Sequence, residues 1–134
     1  MTDTPAPAEK EPLRWPTIRE TGLRRVIVGG EAIDILWHDA RPAHWDDTQL
    51  GECDGEKMEI HLLSRLTARK QWLILAHEMW HCLEYKRDWN DASRVSERNA
   101  WGFAEARVAS IELAHALSPN GLTPADVRRH LELL

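Results

Sequence analysis

The stretch LILAHEMWHCLEY, residues 73–85, places His77 and His81 four positions apart, with Glu78 directly after the first. On a helix that spacing puts both imidazoles on one face, a turn apart, where their neutral ring nitrogens suit Zn2+. Glu78 then stands about 100° round the helix, from which its carboxylate reaches an attacking water without being a ligand. The pattern is H-E-x-x-H, and the chemistry it points to is metal-assisted hydrolysis. Glu78 takes a proton from the water and passes it to the leaving amine. A scrambled chain of this composition would hold such a motif about 0.03 times by chance, so context has to carry part of the argument. Leu73, Ile74, Leu75, Ala76, Met79, Trp80, Cys82 and Leu83 surround the motif, and polar groups in that setting are costly unless paired or metal-bound.

Two histidines do not complete a catalytic zinc site, which takes three protein ligands and leaves a further position to water. The next helix, packed antiparallel, is expected to supply the third ligand from Glu97, Glu105, Glu112 or His115. Glu97 is the best of these on geometry. It lies in the first turns, near the end at which the preceding helix carries His81, and Ala100 and Ala104 follow at helical spacing, small enough for close approach. A stabiliser for the developing oxyanion is also needed. Tyr85, one turn past His81, is the only tyrosine, and His44, His115 or an arginine are the alternatives. Cys82 neighbours a ligand but points about 100° away from it, which reads as a buried, inert thiol.

A helix with LAHEMWH after a strand, followed by a helix with ERNAWGFA (97–104), resembles the ImmA/IrrE-like metallopeptidase domain, whose second signature is E-x-x-A-x-x-F-A. The resemblance covers roughly residues 50–117. It implies a minimal gluzincin in which His77, His81 and Glu97 bind zinc and Glu78 is the catalytic acid/base. It also implies a protein substrate such as a helix-turn-helix repressor, and a phage or mobile-element setting. The chain departs from that family at Trp80, where glycine usually precedes the second histidine. The helix is also similar to that of SprT-like proteases, which act near DNA, but those use a third histidine and none stands near position 97. The long-spaced metzincin pattern fails, because Arg87 occupies the place of its third histidine. A catalytically inactive zincin scaffold used for binding is the other alternative.

The elements that must position these residues are legible at low resolution. LRRVIVGGEAIDILWH (23–38) reads as two strands joined at Gly29-Gly30. Residues 39–55, with Pro, Gly and five acids, read as a loop ending in a turn at Asp54-Gly55, and EKMEIHLL (56–63) as a third strand open to an extended substrate. From an N-cap at Ser64 or Thr67, a helix runs to about Tyr85 with apolar residues round most of its circumference. KRDWNDAS breaks it, and Ser93 caps a second helix to about Leu117. Thr123, Pro124 and Asp126 mark the start of a third. The order predicts an α+β fold, with a small antiparallel or mixed sheet of about three strands packed on a zincin-type helical core.

At 134 residues the chain suits a single domain, expected over 15–134, behind a Pro-rich, charged tail at 1–14 that is expected to be disordered. Neither a signal peptide nor a membrane span is legible, and the expectation is a cytoplasmic protein that does not engage membranes. The net charge of -5 argues against broad capture of nucleic acid, although Arg24, Arg25, Arg128 and Arg129 could make a local basic surface. Cys53 and Cys82 do not make a disulfide framework; reduced thiols are the default, and a single bridge stays open.

Overall fold

The computed structural model of the protein describes residues 13–89 and 92–132. Over these residues it has one mixed sheet, three α-helices and a short 3-10 turn at Arg19–Thr21. The strands are β1 (Arg25–Val28), β2 (Glu31–His38), β3 (Gly51–Asp54) and β4 (Glu59–Leu63), and the helices α1 (Ala68–Arg87), α2 (Ser93–Leu117) and α3 (Pro124–Glu132). The α+β expectation holds, with a fourth strand.

β1 and β2 form the expected hairpin, in which Val28 faces Glu31. Gly29 and Gly30 both take positive φ (57° and 83°), the combination that a two-residue turn of the I′ kind requires. β2 pairs in parallel with β4, and β4 pairs antiparallel with β3, giving the order β1-β2-β4-β3. Residues 51–54, expected in a loop, are therefore an edge strand, and β4 is interior. The expectation that EKMEIHLL offers an open edge is corrected accordingly: the edge belongs to β3. Gly-Glu-Cys-Asp has weak strand propensity, and its conformation is imposed by pairing with β4.

Helix α1 lies across one face of the sheet. Ile33, Ile35, Ile60 and Leu62 from the strands meet Trp72, Ile74, Leu75, Met79 and Cys82 from the helix in one buried cluster. Each such side chain contributes about 1.5–3 kcal/mol when fully buried. Thr67 occupies the N-cap position, and Asp88 ends the helix in the left-handed conformation at φ 53°. Helix α2 packs on α1 through Ala100 and Ala104, both fully buried, as expected of small residues where two helices approach closely. Helix α3 opens with a reciprocal cap: Thr123 N–H donates to Asp126 Oδ2 (3.0 Å) and Asp126 N–H to Thr123 Oγ1 (3.2 Å).

Leu13 and Trp15 pack against the core, Trp72 Nε1 donates to the Pro16 carbonyl (2.6 Å), and Ile18 N–H donates to the buried Gln71 side chain (3.0 Å). The folded part therefore reaches back to Leu13, and the rest of the expected tail lies outside the described residues, as do residues 90–91 of the α1–α2 connection. Among the described residues, no helix is long and apolar enough to cross a membrane.

Cys53 and Cys82 are joined in a disulfide with Cα atoms 5.9 Å apart. This corrects the expectation of reduced thiols and of an inert Cys82. Cys53 lies on the helix-facing side of β3, where Cys82 meets it, so the bridge ties the edge strand to α1 one residue past His81. Neither residue's local sequence signals a partner 29 positions away.

Candidate metal centre

The structure brings His77, His81 and Glu97 together. Each offers one ligand atom, and these atoms lie within 4.8 Å of one another; no other such trio of His, Cys, Asp or Glu occurs among the described residues. The two imidazoles meet edge to face at 4.7 Å between ring centres, as the four-residue helical spacing requires. Glu97, one turn into α2, spans both rings: Oε2 is 3.1 Å from His77 Nε2 and Oε1 is 2.9 Å from His81 Nε2.

The other nitrogen of each ring is held by a carboxylate. His77 Nδ1 lies 3.0 Å from Glu78 Oε1, and His81 Nδ1 lies 3.0 Å from Glu84 Oε1. An Nδ1–H donated to a carboxylate fixes the tautomer and leaves Nε2 as the ligand atom, the usual support of a metal-binding histidine. His81 Nε2 is buried and makes no directed hydrogen bond, although Glu97 Oε1 is close. The nitrogen lone pair and the carboxylate oxygen are both acceptors with no donor between them, an arrangement that suits a cation. Two imidazole nitrogens and one carboxylate also match the donor set that zinc takes in hydrolytic sites.

Burial alone would push the His77 pKa down, but Glu78 and Glu97, on opposite ring nitrogens, outweigh it and hold the imidazole above its usual value.

The trio opens onto a cleft of about 530 Å3 whose lining includes Glu78, Trp101, Gly51, Glu52, Asp46 and Leu50. Asp46, Glu52, Glu78 and Glu97 line it, and among the described residues no Lys or Arg does, so its potential is negative. The Trp101 ring lies 4.4 Å from that of His77 and shields one side of it from water. Gly51 is packed so closely that an added Cβ would stand 2.8 Å from Ile74 Cγ2 and 3.2 Å from Glu78 Cγ, so only glycine lets β3 run against the Glu78 stem. On the strand's outer side, Trp45 Nε1 donates to Glu52 Oε2 (2.6 Å). Burial raises the Glu52 pKa, but the Trp45 and His44 contacts outweigh it and keep this acid below its ordinary value.

The remaining candidates lie elsewhere. Tyr85 does not line the cleft; its ring covers Gly55 at the β3–β4 turn and is 57% exposed. The structure thus does not bring Tyr85, expected as an oxyanion stabiliser, to the trio. His115 accepts from Leu122 N–H (2.9 Å), and Glu112 pairs with Arg69 (2.7 Å). His44 binds Glu52 (2.8 Å) at the mouth of the cleft. Trp80 packs against Phe103 and Trp89, ring centres 5.3 and 5.9 Å away, so the bulky residue before His81 faces away from the trio.

Sequence reasoning missed Glu84, Ser96, Trp101 and Gly51. Glu84 was detectable, because it stands three residues after His81 on the same helix face. It is buried and also accepts from Ser96 Oγ (2.8 Å), the residue just before Glu97, so one hydrogen-bonded unit orients a candidate ligand from each helix. Glu84→Ala is expected to weaken zinc binding by about 10–100-fold, read by competition with a chromogenic chelator, while Glu84→Gln keeps an acceptor and loses less. Unchanged affinity in Glu84→Ala would remove this role.

No family model, curated protein or solved structure matches this chain.

Proposed function

We propose that the protein is a zinc-dependent metallopeptidase of the H-E-x-x-H gluzincin kind, similar to the ImmA/IrrE-like group, acting on peptide bonds of a protein substrate. One observation carries the reading: His77 Nε2, His81 Nε2 and Glu97 converge from two helices while carboxylates hold both Nδ1 atoms behind them. Zinc bound there supplies Lewis-acid polarisation of a carbonyl and a lowered pKa for water. The protein's own groups do the rest. Glu78, with Oε1 on His77, takes the water's proton on its other oxygen and delivers it to the leaving amine. Trp101 and the buried wall of α1 limit access of bulk water on the His77 side.

Strand β3 supports the binding of an extended chain. Leu63 N–H donates to the Leu50 carbonyl (3.3 Å), so by the alternation of an antiparallel ladder the main-chain groups of Glu52 and Asp54 also turn to β4. Those of Gly51 and Cys53 then face the open edge, beside the trio, where a substrate segment adds as a further strand and replaces the Gln49 side chain that donates to the Gly51 carbonyl (3.1 Å). The negative lining favours a basic segment. A helix-turn-helix repressor is the substrate class that the family resemblance implies.

The test is cleavage of a panel of unfolded basic proteins by zinc-loaded protein, read by mass spectrometry. Cleavage that stops with a zinc chelator and returns with added zinc is expected; cleavage that survives full chelation contradicts the proposal.

A further inference from the structure

We propose a second binding site, for a phosphate-bearing anion, in the groove between the Arg19–Thr21 turn, the C-terminal half of β2 and α3. The groove encloses about 810 Å3 and gathers Arg19, Arg24, Arg25 and Arg128 around Trp37, with Asp34 its one acidic lining residue. These arginines come from three separate stretches of sequence, and the fold brings them to one wall of a chain whose net charge is -5. Such a concentration of positive charge is not what averaging over an acidic surface produces.

The arginines differ in what they do. Arg25 is paired with Asp34 (3.0 Å) and Arg128 is held by partners of its own, which leaves Arg19 and Arg24 to supply about two net positive charges to the groove. Arg128 donates to the Thr21 carbonyl (2.7 Å), which fixes its guanidinium at the rim. The Arg19 guanidinium sits 4.9 Å over the Trp37 ring, a stacked cation–aromatic pair. Arg24 is exposed at the mouth. Guanidinium forks match phosphate oxygens bidentately, and an indole among arginines is the pairing that holds bases beside their phosphates on single strands. The groove borders β1 and β2, whereas the negative cleft borders β3 at the other edge of the sheet. The two sites are therefore electrostatically opposite and independent of each other. The phosphates come either from a nucleic-acid backbone or from a free nucleotide or phosphate.

The experiment is fluorescence anisotropy of a labelled oligothymidylate of about fifteen nucleotides with the full chain, at several salt concentrations, with inorganic triphosphate as competitor. Two net charges predict a slope of log K against log salt near -1.4, roughly a sevenfold loss of affinity between about 50 and 200 mM salt. Arg24→Glu, at an exposed position, is expected to weaken binding about tenfold or more and to flatten the slope, with His77→Ala unchanged. Weak displacement by triphosphate assigns the site to a nucleic-acid backbone; displacement at matched charge assigns it to free phosphates. The proposal is overturned by no binding of either probe at low salt, by equal binding in wild type and Arg24→Glu, or by a polyglutamate peptide that binds as tightly as the oligonucleotide.

Discussion

Glu78→Gln is expected to lower kcat/KM for peptide hydrolysis by about 10²–10⁴-fold while leaving zinc content unchanged. The amide oxygen of glutamine still accepts from His77 Nδ1, so the ligand it orients stays in place. What is lost is the ability to accept a proton from water at neutral pH. The drop corresponds to about 3–5 kcal/mol of transition-state stabilisation, and it falls on kcat because the side chain makes no contact required for an extended substrate to pair with β3. Steady-state kinetics on a cleaved peptide, with zinc measured on the same samples, decides the matter. Wild-type rates in Glu78→Gln would mean that Glu78 only orients His77 and that the base lies elsewhere. Loss of both zinc and activity would make the effect structural.

The second large effect is on stability. The Cys53–Cys82 bridge closes a loop across 29 positions, and the chain-entropy relation gives about 3.5 kcal/mol for a loop of that size. Removing it with the double change Cys53→Ala and Cys82→Ala is expected to lower the unfolding free energy by that order and the Tm by about 10 °C or more. Urea unfolding of wild type and double variant is the measurement, with a reduced wild-type sample as a second comparison. β3 has four residues and one neighbouring strand, so the loss is felt first at the edge beside the trio. Coincident unfolding curves for all three samples would show that the bridge does not constrain the unfolded chain.

The sequence foretold what local chemistry dictates. The H-E-x-x-H spacing places two rings on one helix face whatever surrounds them, Gly29-Gly30 forces a tight hairpin, and Thr123 and Asp126 cap α3 through bonds three residues apart. Glu97 was legible because Ala100 and Ala104 marked the closely packed side of its helix. What stayed hidden depends on long-range pairing. β3 is a strand because β4 lies beside it, and Cys53 meets Cys82 because β3 crosses α1. Tyr85 shows the limit of spacing: one helical turn past His81 suggested the site, but the β3–β4 turn approaches there and the ring lies against Gly55. The arginine groove likewise needed α3 to fold back on the Arg19–Thr21 turn before Arg128 could join Arg19 and Arg24.

Everything proposed for the cleft rests on His77, His81 and Glu97 holding one zinc ion. Elemental analysis of the purified full chain, beside His77→Ala and Glu97→Gln variants whose folding is verified by circular dichroism, tests it most directly. About one zinc per wild-type chain is expected, with zinc lost in both variants. Wild-type protein that stays metal-free after incubation with zinc at neutral pH, or variants that retain a full equivalent, would contradict it.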